Sequence, residues 1–146
     1  MSGVFRQDMG NRASVQAGEA IKEGQGLKFV DDGVLQVKKV TAVTDPVDAI
    51  AIEGDVRDAT GAFASGSTIT VQLAPGFCGV LLDADTTKGT NLKPNADAEF
   101  AAIAAGDAAG TQSPCMTVAD GKANDLVSAI FFGSGRVTLV ADQINP

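Results

Sequence analysis

The chain has 146 residues, which suits one ordinary globular domain, and its seven Phe are accompanied by no Trp or Tyr. The formal charge of −7 makes a nucleic-acid partner improbable, because an acidic protein repels the phosphate backbone. The sequence also lacks His, which excludes Ser-His-Asp and Cys-His catalytic arrangements and removes the commonest metal ligand.

Residues 1–17 are polar and irregular, with a single apolar pair, Val4 and Phe5. The segment also contains Arg6 and Arg12, whereas the rest of the chain is strongly acidic. We predict an extended N-terminal arm that becomes ordered on contact with a partner protein. A frayed terminus or an edge strand is an equally good interpretation. The four named residues are the candidate contacts with that partner.

From Gly18 onwards, short runs of β-branched and apolar residues alternate with turns rich in Gly, Pro and Asp. Such runs are typical of strands. The predicted strands include "LKFV", "VLQVKKV", "DAIAIEGDV", "TITVQL" and "FCGVLL". The Ala-rich stretch 95–110 has helical spacing at Phe100 and Ile103, but we favour a strand or an irregular crossing there.

Two segments of the chain look like copies of each other, "IKEGQGLKF" (Ile21–Phe29) and "TTKGTNLKP" (Thr86–Pro94). Leu92 follows Leu27 by 65 positions. Offsets of 66 relate two further pairs of segments, "AIAIEGD" with "CMTVADG" and "TVQL" with "RVTL", the latter matching Val71 and Leu73 to Val137 and Leu139. A single duplication of this length indicates a pseudo-two-fold domain. We therefore predict a mainly β protein, a compact β-barrel or β-sandwich-like domain at 18–146, with related halves at roughly 18–75 and 83–140.

Three segments approach known site motifs. "GAFASGST" (Gly61–Thr68) has the glycines of a phosphate-binding loop but Ser67 in place of the required Lys. "DADTTKG" (Asp83–Gly89) begins like a calcium loop but lacks its sixth-position Gly and its twelfth-position Glu. Five carboxylates between Asp45 and Asp58 offer a hydrolase-like cluster, although a solvated face is the better interpretation. We expect no catalytic residue, cofactor or metal ion.

Cys78 and Cys115 have no metal-binding spacing. Buried free thiols are the favoured interpretation, and a pair between them is the alternative. The N-terminus lacks the apolar core of a secretory signal, and no segment approaches the length of a membrane span. We expect synthesis in a cytoplasm and no membrane partner.

The order of these features, from "AGEAIKEGQGLKF" through "TITVQLAPG" to "CMTVADGKANDLVSAIFF", resembles the small decoration, or cement, proteins of tailed-bacteriophage heads. The likeness covers about Ala17 to Leu139, and it is one of rhythm and composition. It implies a compact β domain, commonly a homotrimer, on the outer surface of an icosahedral capsid. There it would bridge major capsid protein subunits and stabilise the shell.

Two other functions are compatible with the sequence. One is a β-rich head-fibre or adhesin module that binds a host glycan or protein. The other is a small hydrolase that uses the carboxylates between Asp45 and Asp58. Capsid binding, glycan binding and hydrolytic activity separate the three possibilities.

Overall fold

The computed structural model describes residues 11–136, and this range contains ten β-strands and no helix. The strands form a closed five-stranded barrel, called the barrel below, and a five-stranded second sheet. The barrel contains β1 (Arg12–Ala17), β2 (Gly26–Asp31), β3 (Leu35–Lys39), β4 (Ala49–Gly54) and β5 (Thr68–Gln72). The second sheet contains β6 (Gly76–Leu81), β7 (Asn91–Pro94), β8 (Phe100–Ala102), β9 (Cys115–Thr117) and β10 (Leu126–Phe131). The mainly β prediction is confirmed.

The barrel is closed by the segment that we predicted to be an arm. Strand β1 pairs antiparallel with β5 from Arg12 to Gln16 and parallel with β3 at its end. Ala17 is fully buried in the barrel core. The arm boundary at residue 17 is therefore too late, because alternating small and apolar side chains at Ala13, Val15 and Ala17 pack inwards. The first ten residues of the arm lie outside the described range.

The two sheets have the same strand order. The order around the closed barrel is β1-β3-β2-β4-β5, which reads β1-β5-β4-β2-β3 in the opposite direction. The order in the second sheet is β6-β10-β9-β7-β8, so the strands match one by one. The closing contact of the second sheet is a single parallel bridge between Leu82 and Phe100, where the barrel has a two-residue pairing of β1 with β3. Each strand of the second sheet thus has a barrel equivalent five places earlier in chain order.

Hydrogen bonds outside the strands repeat as well. The Gly24 amide donates to the carbonyl of Ala51 at 2.8 Å, and the Gly89 amide donates to that of Thr117 at 2.9 Å. Both glycines have a positive φ, 87° and 81°. Only Gly adopts this conformation without a steric cost. The turn "KEGQG" and its copy "TKGTN" are therefore present twice because each half needs the same connection.

The spacing of equivalent residues varies along the chain. It is 65 at the first two strands of each half, 63 at the third, 66 at the fourth and 58 at the fifth. The largest change follows the fourth strand, because Ala51 and its later partner Val71 are 20 residues apart, whereas the equivalent Thr117 and Ala129 are 12 apart. Strand β10 consequently occupies the position of β5. Val71 is therefore equivalent to Ala129, so the predicted match of Val71 with Val137 is wrong. Val137 and Leu139 themselves lie outside the described residues.

Two hydrophobic clusters fill the molecule. One lies inside the barrel and includes Phe63, Ile69 and Val71. The other lies inside the second sheet, around Phe100 and Phe131, and is completed by three residues of the first half, Val40, Val47 and Ile50. The second sheet therefore packs its open interior against the outside of the barrel, which makes the two halves one folded unit.

Equivalent core positions exchange large and small side chains. Phe63 and Ala17 in the barrel correspond to Gly121 and Leu82 in the second sheet. A Cβ atom on Gly121 would lie 2.5 Å from Cδ1 of Leu82. Leu82 thus occupies the space that a larger residue at position 121 would need, and close packing is preserved in both halves.

The Ala-rich stretch is not helical. It contains the turn from Asn95 to Glu99, the short strand β8 and a further turn at Ala104–Asp107. The side chain of Asn95 accepts hydrogen bonds from the amides of Asp97 and Glu99. This local bonding competes with a helix, and pairing of β8 with β7 uses the backbone groups that a helix would need.

Candidate functional site

The predicted contact residues divide into two groups. Val4, Phe5 and Arg6 lie outside the described residues. Arg12 lies on β1 with an exposed side chain, and its Nε donates a hydrogen bond to Oε1 of the buried Gln72 at 3.3 Å. Arg12 is the first residue of β1, and it is therefore the one candidate contact residue that the structure places at the barrel.

The five carboxylates from Asp45 to Asp58 are dispersed over strand β4, which contains Glu53, and the loops on either side of it. Asp45 accepts hydrogen bonds from the amide and hydroxyl of Thr41, and Asp58 accepts them from Thr60. The bond from the Thr41 amide lowers the pKa of Asp45, and the bond from the Thr60 hydroxyl lowers that of Asp58. Groups with lowered pKa values stay ionised near neutral pH and make poor general acids. Their observed role is to cap turns.

The calcium-like segment also serves a structural role. Asp85 accepts a hydrogen bond from the amide of Ala123 at 2.9 Å and lies 3.6 Å from Nζ of Lys122. Across residues 11–136, no group of three or more acidic or Cys side chains is arranged to hold a metal ion. In the same range, no helix is long and apolar enough to cross a lipid bilayer.

Both cysteines are free thiols within the second sheet. Burial raises the pKa of Cys78 to about 12, against the opposing charge of Arg12, and it raises the pKa of the fully buried Cys115 well above its usual value. Because the thiolate is the reactive form, we expect neither thiol to react with Ellman's reagent at pH 8 in the native protein. Two thiols per chain should react after unfolding, as measured by absorbance. Rapid reaction of a native thiol would contradict this assignment.

The outer face of the second sheet presents a row of apolar side chains. Phe77, Ile130 and Met116 are directly paired across β6, β10 and β9, and the row ends at Asn91 on β7. Phe77 is 67% exposed, and Ile130 and Met116 are half-buried. Large exposed apolar side chains that adjoin one another mark interaction surfaces. We call these four residues the outer row of the second sheet.

The equivalent row of the barrel is covered at all but its first position. It consists of Arg12, Gln72, Ile50 and Gly26, paired in the same order. Ile50 is fully buried within the cluster of the second sheet, and a Cβ atom on Gly26 would lie 3.0 Å from Cζ of Phe100. The same face is therefore an interface in one half of the molecule and a surface in the other.

A second pair of equivalent features is formed by two clefts. A barrel cleft of about 370 Å³ is lined by Lys22, Gln25 and Lys39, and by Asp97 and Glu99 of the second half. A larger cleft of about 650 Å³ in the second half is lined by the equivalent residues Thr87, Thr90 and Ala102, together with Asp85, Asp120 and Leu126. Carboxylates and hydroxyls dominate the larger cleft, which we call the second-half cleft.

The hairpin between β2 and β3 also carries exposed apolar side chains. Its tip runs from Val30 to Gln36 and turns at Gly33, whose φ is 84°. Val34 is 58% exposed and Leu35 57%. These residues were missed from sequence, because "VLQVKKV" indicates a half-buried strand without showing that the strand begins only at Leu35. Phe77 was missed likewise, since the run "FCGVLL" does not reveal which face is covered.

Comparison with solved structures finds similar folds, among them a component of a bacteriophage head. No protein-family model matches the sequence, and no curated protein matches it. The N base of the head fiber gp8.5 of bacteriophage phi29 is 14% identical, with a TM-score of 0.63, and the similarity covers 88% of this chain and 97% of that chain. At this identity the similarity establishes a shared fold.

Proposed function

We propose that the protein is a structural component of a tailed-phage virion that attaches to the outer surface of the head. There it decorates and stabilises the capsid by bridging major capsid protein subunits, as a homotrimer and without a nucleic-acid or membrane partner. The observation that supports this most is the fold shared with the phi29 head-fiber base over nearly all of that chain. The resemblance of the sequence to decoration proteins is independent support. A fold alone does not fix a function, so capsid binding is the deciding property.

A head-fibre or adhesin module is the second candidate, and the same comparison favours it. A decoration protein and a head-fibre module would both bind the shell, but the head-fibre or adhesin module would itself also bind a host glycan or protein. A glycan array with the whole protein separates the two, since only the head-fibre or adhesin function is expected to give specific binding.

Capsid attachment is tested by removing the segment that precedes the barrel. The deletion should end at Gly10, because Arg12 and Ala13 pair with Gln72 and Val71 in the closed barrel. We expect the shortened protein to keep its β-sheet circular dichroism spectrum and to lose capsid binding at least tenfold. The measurement is co-sedimentation with purified empty capsids over a range of protein concentrations.

Point variants refine the same experiment. Phe5→Ala and Arg6→Ala should each weaken co-sedimentation, since one removes an apolar anchor and the other a positive charge. Arg57→Ala, which alters an exposed basic residue in the loop after β4, is the matched control and should bind as the unaltered protein does. Undiminished capsid occupancy by the deletion variant would refute the role of the arm. Absence of binding by the full chain would refute the function.

A further inference from the structure

A turn of the second half docks on the barrel, and the equivalent turn of the first half has no such docking contact within the described residues. The turn from Asn95 to Glu99, between β7 and β8, lies against the barrel cleft. Nε2 of Gln25 donates to the Asp97 carbonyl at 2.9 Å, and the Gly26 amide donates to the Ala98 carbonyl at 2.8 Å. The side chain of Ala98 is fully buried in this contact. The turn of the second half thus docks on the cleft and outer row of the barrel.

The equivalent turn of the first half is the tip of the β2–β3 hairpin. Strand register matches Val30 with Asn95 and Gln36 with Glu99, because Phe29 pairs with Val37 as Pro94 pairs with Phe100. The tip is two residues longer than its counterpart, and it carries the exposed Val34 and Leu35. Within the described residues, nothing contacts this tip as the barrel contacts the Asn95–Glu99 turn.

The equivalent receiving surface is the outer row of the second sheet with the second-half cleft beside it. Thr87 and Thr90 stand where the barrel has Lys22 and Gln25. Gly89 stands where the barrel has Gly24, yet a Cβ on Gly89 would meet nothing within 4 Å, whereas one on Gly24 would meet the backbone of Leu81. Within the described residues no turn docks on this receiving surface, and at its edge Nη2 of Arg136 donates a hydrogen bond to Oδ1 of Asn91 at 3.0 Å.

We propose that a second copy of this chain occupies the receiving surface, placing its β2–β3 hairpin tip and the adjoining barrel end on the outer row and the second-half cleft. The contact repeats between chains what the two halves do within one chain. Its two sides lie on different parts of the molecule, so the interface is heterologous and produces a ring where the rotation closes. The inference rests on the self-association within the proposed function and gives the trimer its interface.

The chemistry of the two surfaces predicts how the association responds to salt. Phe77, Ile130 and Leu35 supply the apolar area that drives it. The proposed contact places Asp31 and Asp32 of the hairpin against a cleft lined by three Asp side chains and one Lys. Like charges oppose docking and are screened by salt. We expect association to strengthen several-fold between about 0.05 M and 0.5 M NaCl, at concentrations where the Debye length falls below about 15 Å.

The first test blocks each side separately in the full-length chain. Phe77→Asp alters the receiving surface and Leu35→Asp alters the hairpin tip, and each side chain is more than half exposed, so folding should survive. Sedimentation velocity over a range of concentrations should show oligomers for the unaltered protein and at least a 100-fold weaker self-association for each variant. Val56→Asp is the matched control, because Val56 is 56% exposed in the loop after β4 and belongs to neither surface. It should change self-association less than threefold.

The second test mixes the two blocked variants. Phe77→Asp retains a functional hairpin and Leu35→Asp retains a functional receiving surface, so the mixture should form a 1:1 dimer and nothing larger. A two-fold symmetric interface would give no such dimer, and that result would overturn the proposal. A monomeric unaltered protein at all concentrations and salt levels would also overturn it, as would self-association of the Phe77→Asp variant at the unaltered strength. Capsid co-sedimentation is scored separately, so failure of the interface and failure of the proposed function remain distinguishable.

Discussion

The substitution Gly24→Ala should destabilise the protein by about 2–5 kcal/mol, which is a large share of the total stability of a domain. Two costs add at this position. A positive φ of 87° is unfavourable for any residue with a side chain, by about 1–2 kcal/mol. The new Cβ would also lie 2.6 Å from the backbone N of Leu81 and would overlap Cδ2 of Leu126. Such overpacking costs about 1–3 kcal/mol.

The overlap falls on the joint between the two halves. The Leu81 amide donates a hydrogen bond to the Gly24 carbonyl at 3.0 Å, and a shift of either strand lengthens this bond. Backbone atoms cannot rotate away as the end of a flexible side chain can. We therefore expect the substitution to weaken the packing of the second sheet on the barrel, and urea unfolding monitored by circular dichroism measures the loss.

The duplication supplies a matched control for this prediction. Gly89 has a φ of 81° and makes the equivalent hydrogen bond, but a Cβ there would meet nothing within 4 Å. Gly89→Ala should therefore cost only the conformational term, about 1–2 kcal/mol. Equal losses for the two variants would show that the joint tolerates displacement and would contradict the packing argument.

The repeated turns are the part of this fold that the sequence foretold best. Gly, Leu and Lys recur at one spacing in "GQGLK" and "GTNLK", because a positive-φ turn followed by an inward Leu leaves a recognisable pattern. The strands that follow the first of these turns were recognised from their β-branched alternation, whereas β1, which precedes it, was predicted to be part of an arm. The conformation of a turn depends on the few residues that form it, so such turns can be predicted from a single sequence.

The sequence did not show that the outer row of strand residues is mostly covered in the barrel and exposed in the second sheet. Arg12 and Phe77 occupy equivalent positions, yet nothing near either residue in sequence shows that the outer row beside Arg12 is covered and the one beside Phe77 is open. That difference arises because Val40, Val47 and Ile50 complete the core of the second sheet from the outside of the barrel. Long-range packing decides which of two similar faces becomes a surface.

The shift in spacing from 65 to 58 was hidden for a related reason. Phe63 and Gly121 are equivalent in backbone position, but their side chains have opposite sizes, so no sequence likeness connects them. Each half solves the same packing problem with a different partner residue, Ala17 in the barrel and Leu82 in the second sheet. The large and the small residue exchange places between the two halves, so residue identity is not retained at either position.

This exchange predicts energetic coupling between Leu82 and Gly121. Leu82→Ala alone should cost about 2–5 kcal/mol, because it leaves a cavity in a fully buried site. Gly121→Ala alone should cost about 1–3 kcal/mol, because its Cβ would lie 2.5 Å from Cδ1 of Leu82. Leu82→Ala removes that overlap, although the approach of 2.9 Å to Cβ of Val127 remains. The double variant should therefore lose at least about 1 kcal/mol less than the sum of the single losses.

A second buried leucine provides the control for this cycle. Leu92 belongs to the same cluster and is equally buried. The three heavy atoms nearest to a Cβ on Gly121 belong to Leu82 and Val127, and none belongs to Leu92. Leu92→Ala combined with Gly121→Ala should be additive within about 0.5 kcal/mol. Guanidinium unfolding of the three single and two double variants, with the unaltered protein, gives both coupling energies from one set of curves. If the Leu82 cycle proved as additive as the Leu92 cycle, the two residues would not share the space that the barrel gives to Phe63 and Ala17.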